Sequence, residues 1–532
     1  MPGERRHHEP SEAEREAAEV VAFLADPASF AEHPAVIDTI ETHAARIVLA
    51  GRKAYKVKKR VKLPFLDFTT FAQRRAALVR ELELNRDQAP DIYLGLETIS
   101  RKPDGTLAFG TENPVDVALV MNRFDQAQLL AHISEAGPLP PGVAKELADM
   151  AGRYHRVLQP VVGLSGAEIM RDTVTALAAN LVADVPSSKK TLAGEFARRS
   201  GDELERRSAL LERRGKAGYV RRCHGDLHLG NIVLQDGRAI PFDALEFDER
   251  LATVDVFYDL AFLLMDLVVR GDRAAANILL NAYVTAEPVG GEIDGLATLP
   301  LFLATRAAVR ALVASESALQ KPDGKNAEDI ARAASYLAAA NRYLTPATPV
   351  MIAVGGLSGT GKSTLAANLA PLIGPAPGAL ILRTDVERKR IFNVSETERL
   401  SSGHYTEQVS DQVYAALYAK ARRALVAGHG VIFDGVSAKP AERARIEEIA
   451  RECGALFAGL WLTAPLEVQI DRVEARRGDA SDSDATVVRA QAGRDVGPMT
   501  WRTIDAGHKS EATLEAATAV LQREIGHGLR AP

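Results

Sequence analysis

Hydrophobic and polar positions change rhythm several times along the chain. Residues from about 11 to 25 form an amphipathic helical pattern, and a second helical pattern runs from Phe71 to Arg86. Around the latter lie short β-type runs. ARIVLAG and AYKVKKRV read as neighbouring strands about the Gly51 turn, and VDVALVMNRF, Val115 to Phe124, reads as a later strand. A small sheet with one helix is predicted. From about 127 to 215 an Ala, Leu and Arg periodicity is helical, until HGDLHLGNIVLQDGRAIPFDALEFDE switches to loop, strand, Asp236-Gly237 turn and strand. Helical patterns resume from about 253 to 343. The two prolines of TPATPV then precede a new strand, VMIAVGG, and place a domain boundary at about 346. Beyond it, ALILRTD, GVIFDGV and ALFAGLWL alternate with helices, the pattern of βαβ units and a parallel sheet. No repeat of 20 to 50 residues is present.

Composition narrows the class. A length of 532 residues allows two large domains or three ordinary ones, and 46% hydrophobic with 25% charged residues supplies ample core material. The formal charge of −5 offers no bulk footprint for nucleic acid or an anionic membrane. Two distant cysteines, Cys223 and Cys453, argue against a disulfide framework and for a reducing, cytoplasmic setting. The polar N-terminal stretch has no secretory pattern, and the most apolar run, VFYDLAFLLMDLVV, carries Asp259 and Asp266, so it is expected to be a buried helix and no membrane partner is expected.

The most specific chemistry is Gly356-Leu-Ser358-Gly359-Thr360-Gly361-Lys362-Ser363, followed by Thr364, between a strand and a helix. Glycines let backbone N–H groups approach a polyphosphate, the helix N-terminus faces its charge, Lys362 can bridge the outer phosphates, and Ser363 can ligate Mg²⁺. ATP and Mg²⁺ are therefore the expected cofactors. Asp385, at a strand's carboxyl end, can take a proton from an acceptor hydroxyl; Arg388, three residues on, can hold an acceptor's anionic group. Asp434 ends the strand GVIFD, where it suits an outer-sphere Mg²⁺ contact. Arg472 and Arg476, four apart on one helical face, can close over transferring phosphates. For each of these the plainer reading is a capping carboxylate, a polar strand end or a solvated charged face.

A second constellation is His224-Gly225-Asp226-Leu-His228-Leu-Gly-Asn231, followed by Phe242-Asp243. The predicted hairpin lets Asn231 and Asp243 converge, and with Asp226 they supply what phosphoryl transfer needs: a carboxylate for the hydroxyl and oxygen ligands for Mg²⁺. A zinc pair from His224 and His228 is a weak alternative, because no third ligand stands nearby in sequence. On the strand Ala54-Tyr-Lys56-Val-Lys58-Lys59 a two-residue period puts Lys56 and Lys58 on one face, with one expected to be functional and the other solvated.

Residues from about 350 to 525 resemble the small-molecule and polynucleotide kinase branch of P-loop proteins, including gluconate kinase-like, zeta toxin-like and chloramphenicol phosphotransferase-like enzymes. The resemblance implies Asp385 as acceptor base, Arg388 as acceptor contact and Arg472 or Arg476 as lid arginines. Residues from about 40 to 340 resemble aminoglycoside phosphotransferase-like kinases, with HGD in place of the protein-kinase HRD and FDA in place of DFG. That implies Asp226 as catalytic base, Asn231 and Asp243 as metal ligands, Asp259 as a structural carboxylate, and Lys56 paired with Glu81 on the helix RRAALVRELELN. No G-x-G-x-x-G precedes the lysine, and no room for a long activation loop follows Asp243, which favours a small-molecule hydroxyl acceptor over a protein.

The whole resembles bacterial fusions of the two kinds of kinase. It implies an N-terminal protein-kinase-like α+β domain (1–345, with a nucleotide-binding sheet lobe at about 40–125 and a helical lobe at 126–345). An α/β P-loop NTPase domain with a parallel sheet (346–532) follows. The expected activity is ATP-dependent phosphotransfer at two sites. A nucleotide-sensing partner domain, or a P-loop domain acting on a nucleic-acid end, are the alternatives; the acceptors and oligomeric state stay open.

Overall fold

The computed structural model describes residues 12–526, except 43, 64–65, 186–189, 288 and 321–325. The chain packs as two units: residues up to 137 with 221–254, and residues 138–220 with everything from 255 onward.

The first unit is built on an antiparallel six-stranded sheet, in the spatial order Ile37–Glu41, Ala45–Ala50, Lys53–Lys58, Pro114–Asn122, Tyr93–Arg101 and Leu107–Phe109. Both faces are covered. The helix Glu12–Ala25 brings Val20 and Leu24 onto Tyr55, Val57 and Ile99. On the other face Leu78 of the helix Phe71–Asn85 and Val233 of the hairpin pack with Leu49, Tyr93 and Leu119. The helix starts where Thr70 and Gln73 cap each other reciprocally. The strands expected about Gly51 and at 115–124 are present, as is the hairpin Ile232–Gln235 with Arg238–Pro241. Its two-residue turn is made by Asp236 and Gly237, both left-handed (φ 49° and 78°), which matches the twist of the arms.

The second unit holds the helical bundle and the C-terminal sheet. The helix Val256–Val269 is buried along nearly its whole length, as its apolar pattern requires. Asp255 caps it, accepting from Phe257 N at 2.9 Å, and takes a bidentate pair from Arg214 at 2.6 and 2.7 Å. Asp259, fully buried, lies 3.2 Å from His155 Nε2, whose Nδ1 is 2.8 Å from the Tyr283 hydroxyl. Among the described residues one stretch, Glu292–Leu319, is long and apolar enough to cross a membrane; its sequence had not singled it out, and it is largely core.

From Val350 onward five parallel strands lie in the order Leu380–Arg383, Val431–Asp434, Val350–Gly356, Leu456–Thr463 and Arg502–Asp505. Leu365, Leu369 and Leu521 from flanking helices pack on Ile352, Val354 and Leu460. The fold is therefore two-domain: a kinase-like α+β arrangement of antiparallel sheet and helical lobe, then an α/β P-loop sheet whose central strand leads into the glycine-rich loop.

Candidate active sites

In the first unit Gly225 turns the HGD segment. Its φ is +84°, and a Cβ there would stand 3.0 Å from the Cβ atoms of Leu245 and Ala252, so a side chain has neither the conformation nor the room. Leu245 N donates to His224 O at 2.9 Å and Phe242 N to Asn231 O at 3.0 Å, which sews residues 224–231 to 242–245. Asn231 Nδ2 donates to Asp226 Oδ2 at 2.9 Å and to the Asp226 carbonyl at 3.0 Å. His224 Nε2 lies 3.1 Å from Phe242 O, and His228 Nδ1 accepts from Gly230 N at 3.0 Å, so both histidines shape the loop.

Across the site runs a chain of alternating charge. Lys56 Nζ donates to Glu81 Oε1 at 2.7 Å and to Asp243 Oδ1 at 2.6 Å; Lys58 Nζ donates to Glu81 Oε2 at 2.8 Å and to Glu246 Oε1 at 2.6 Å. The expectation of a solvated second lysine is thus overturned: Lys58 is 5% exposed. The two-residue period placed both lysines on one face correctly, but the residues 243–246 that cover this face come from far along the chain. Burial of this many charges is tolerable only because each is paired. Burial opposes the Lys56 charge, yet Asp243 and Glu81 beside it drive its pKa well up. Burial likewise works against the Asp243 carboxylate, but the Lys56 charge and hydrogen bond hold its pKa below the usual value. Asp243 itself is left-handed (φ 61°), and its N–H donates to the Tyr93 hydroxyl at 3.0 Å while Ala244 N donates to Asn85 Oδ1 at 2.9 Å. Sequence reasoning missed Tyr93, Asn85 and Glu246; only Glu246, three residues after Asp243, stood close enough to a motif to be noticed.

In the C-terminal domain the loop 356–361 leads into the helix Lys362–Leu369. Gly359 has φ +82°, and a Cβ there would fall 2.5 Å from Gln469 O, so the loop runs flush against the helix Leu466–Ala475. Lys362 Nζ donates to Leu357 O at 3.0 Å, Ser363 Oγ to Asp434 Oδ2 at 2.6 Å and Thr360 Oγ1 to Leu357 O at 2.8 Å. Burial pulls the Lys362 pKa down against the opposing pull of Asp434 and Asp385, and burial pushes Asp434 up against Arg383 and Lys362. Ser358 N donates to Gln491 Oε1 at 2.9 Å, and Ser358 Oγ is 3.1 Å from Ser483 Oγ. Sequence reasoning assigned nothing to Gln491 or Ser483, which sit in a polar segment without a motif.

These groups line one cleft of about 1260 Å³, together with Thr364, Asp385 and Arg388. Asp385 lies in the first turn of the helix Thr384–Ile391. Arg388 is 6% exposed, donates to His404 O at 2.9 Å and lies over the Tyr405 ring, with its Nε unpaired. Arg472 reaches Thr360 O at 3.5 Å and His508 O at 2.8 Å. Arg476 corrects an expectation: the helix ends at Ala475 and Arg476 is extended (φ −64°, ψ 137°), so the two arginines do not share a helical face. Both still border the cleft.

The residues fit ATP and a divalent cation. The left-handed Gly359 and Gly361 (φ +82° and +90°) turn the loop into the N-terminus of the helix Lys362–Leu369, where backbone N–H groups suit a polyphosphate, and Ser363 with Asp434 is a hard-oxygen pair of the kind Mg²⁺ takes. In the first unit Asn231 gives its NH₂ to Asp226, leaving Oδ1 as the atom it can offer a cation near Asp243.

Comparison with known proteins agrees with both halves. Residues 71–296 match the Phosphotransferase enzyme family, and residues 351–495 match a family described as AAA domain. The uncharacterized protein Rv2004c of Mycobacterium tuberculosis is 33% identical over 497 residues, 92% of this chain and 96% of its own. Among solved structures, a gluconokinase from Sinorhizobium meliloti 1021 is 21% identical with a TM-score of 0.26, covering 33% of this chain and 93% of its own. A choline/ethanolamine kinase family protein from Mesorhizobium loti is 14% identical with a TM-score of 0.34, covering 61% of this chain and 99% of its own. The chain, which joins a phosphotransferase-family domain to a P-loop domain, belongs to the family of the mycobacterial protein and is an ATP-dependent kinase.

Proposed function

We propose that the protein is bifunctional, with one kinase site in a domain that ends near residue 345 and another in the domain from 346 onward, each transferring the γ-phosphoryl of ATP to a hydroxyl of a small molecule. The observation that carries the reading is the convergence of Lys56, Glu81, Asp226, Asn231 and Asp243 from distant stretches of sequence: Lys56 bonds Glu81 and Asp243, Asn231 bonds Asp226, and Asp226 stands close enough to act electrostatically on Asp243. In that site Asp226 orients the acceptor hydroxyl and receives its proton as the oxygen bonds to phosphorus and ADP departs. Lys56 holds the nucleotide phosphates, and Glu81 keeps Lys56 in place. In the P-loop site Lys362 and the loop N–H groups hold the phosphates, Asp385 takes the acceptor proton, Arg388 holds an anionic group of the acceptor, and Arg472 and Arg476 border the transferring phosphoryl. Asn231 and Asp243 would hold Mg²⁺ in one site, and Ser363 with Asp434 would hold it in the other, where the ion would supply neutralisation of phosphate charge.

A cytoplasmic setting suits a chain whose two cysteines, Cys223 and Cys453, lie far apart in sequence and outside any disulfide framework. A small acceptor suits the −5 charge better than a nucleic acid does. The test is phosphoryl transfer from ATP·Mg²⁺ to a library of sugars, nucleosides and aminoglycosides, read by product mass with wild type, Asp226→Asn and Lys362→Ala. One class of product lost in each variant supports two sites. A single class lost in both, or none formed by the wild type, contradicts them.

A further inference from the structure

The edge of the parallel sheet is the strand Leu380–Arg383, and the helix Thr384–Ile391, which carries Asp385 and Arg388, follows it directly. An edge strand leaves alternate N–H and C=O groups without ladder partners. Here the helix Arg273–Ala286 of the helical lobe, which lies in the same packed unit, takes them. Ile381 N donates to Asn281 Oδ1 at 2.7 Å, while Asn281 Nδ2 and Asn277 Nδ2 donate to Ala379 O at 3.1 and 3.0 Å. The two asparagines are one turn apart, and the Asn281 amide both gives and accepts, as the peptide of a sixth strand would. Asn277 is 2% exposed, so its amide is spent on this contact and not on water.

The hold extends to both ends of the helix. Arg273 donates to Gly374 O at 2.9 Å. At the other end Glu287 lies 3.6 Å from Arg390 Nη1 and 3.6 Å from Lys420 Nζ, and both of those cations also pair with Glu387, at 3.0 and 2.7 Å. Arg390 and Glu387 belong to the helix that carries Asp385 and Arg388.

We propose that Arg273–Ala286, although it lies within the phosphotransferase-family sequence, is a positioning element of the P-loop site. Asn277 and Asn281 set the edge strand, Glu287 sets the far part of the helix after it, and together they fix where Asp385 and Arg388 stand. The proposal rests on the reading of Asp385 and Arg388 as acceptor-side groups. Apolar packing alone would dock two domains; buried amides that pair in register dock them in one position, because a shift leaves polar groups unpaired.

The test uses the full chain with Asp226→Asn, so that ATP turnover reports the P-loop site, and adds Asn281→Leu, Glu287→Gln or Glu287→Asp. Hydrogen exchange is followed at 379–391 and at 350–363, alongside ATP·Mg²⁺ affinity and the rate of ADP formation. Asn281→Leu and Glu287→Gln should raise exchange at 379–391 about fivefold or more, leave it unchanged at 350–363, and leave ATP affinity within about twofold. ADP formation should fall about tenfold, with Glu287→Asp restoring most of it. Exchange and turnover like those of the parent overturn the proposal, as does an equal rise in exchange at both segments, which marks general loosening. Should Asn281→Leu fail to fold, the partly exposed Glu287 variants carry the test. If Asp385→Asn leaves ADP formation untouched while exchange still rises at 379–391, the acceptor-side reading has failed and the hold on the edge strand stands.

Discussion

The two candidate sites of this chain are built on opposite plans. Around Lys56 the site is a lattice of side chains in which every charge leans on another, and the pKa of Lys56 goes up while that of Asp243 goes down. Around Lys362 it is a backbone loop whose lysine bonds a carbonyl and no carboxylate, and although Asp434, Asp385, Arg383 and Arg476 stand near, burial wins and the shifts reverse: Lys362 goes down and Asp434 goes up. Side-chain lattices hold themselves in shape by mutual charge. A backbone loop is held by its glycine conformations, and its charges gain from the arrival of a polyanion and its cation. The first site should therefore respond to substitution mainly through stability and geometry, the second mainly through nucleotide affinity.

The largest effect expected is on chemistry. Asp226→Asn keeps the size of the side chain but removes the carboxylate, and should lower transfer at the first site about 10³-fold with ATP affinity nearly unchanged. Product analysis with the acceptor found by library assay checks this, and a loss below tenfold would move the base elsewhere.

Next comes the lattice itself. Lys58→Met removes one cation and leaves Glu81 and Glu246 facing each other in a buried place, which should cost about 3 kcal/mol in urea unfolding. Lys362→Met, in the loop site, should cost little stability and instead weaken ATP binding. Equal losses of stability from the two would erase the contrast.

A pH effect comes third and belongs to neither site. His429 is buried, and burial pulls its pKa from 6.5 down to about 4. The unfolded chain therefore binds a proton between these values that the folded chain refuses. Stability should fall as pH drops from 6.5 towards 4, by up to about 3 kcal/mol, and His429→Gln should flatten that part of the profile. Melting curves at stepped pH measure it.

The smallest effect is a single hydrogen bond. Gln491→Ala removes the acceptor of the Ser358 N–H, and about 1 kcal/mol, or roughly fivefold, of nucleotide affinity at the P-loop should go with it.

The contrast between the plans also explains what was legible in the sequence. The glycine loop is contiguous, so eight residues displayed it with its strand and helix. Asp226, Asn231 and Asp243 were legible through their order and the turn between them. Lys58 was misread because periodicity assigns a face but not what covers it, and Glu246 covers it from 188 residues away. Arg476 was misread because i, i+4 spacing does not say where a helix stops. The strand Tyr93–Arg101 was not distinguished because Gly95 breaks its alternation, and the ladder shifts register there. Asn277 and Asn281, on an ordinary-looking helix, carried no sign of the sheet edge they meet.

The central claim is that both plans bind ATP in one polypeptide. Calorimetric titration with ATP·Mg²⁺ tests it most directly, comparing wild type with Lys362→Ala. The account predicts two nucleotides per chain for the wild type and one for the variant, with the remaining site keeping its affinity. One nucleotide per wild-type chain, or two in the variant with unchanged affinities, would contradict it.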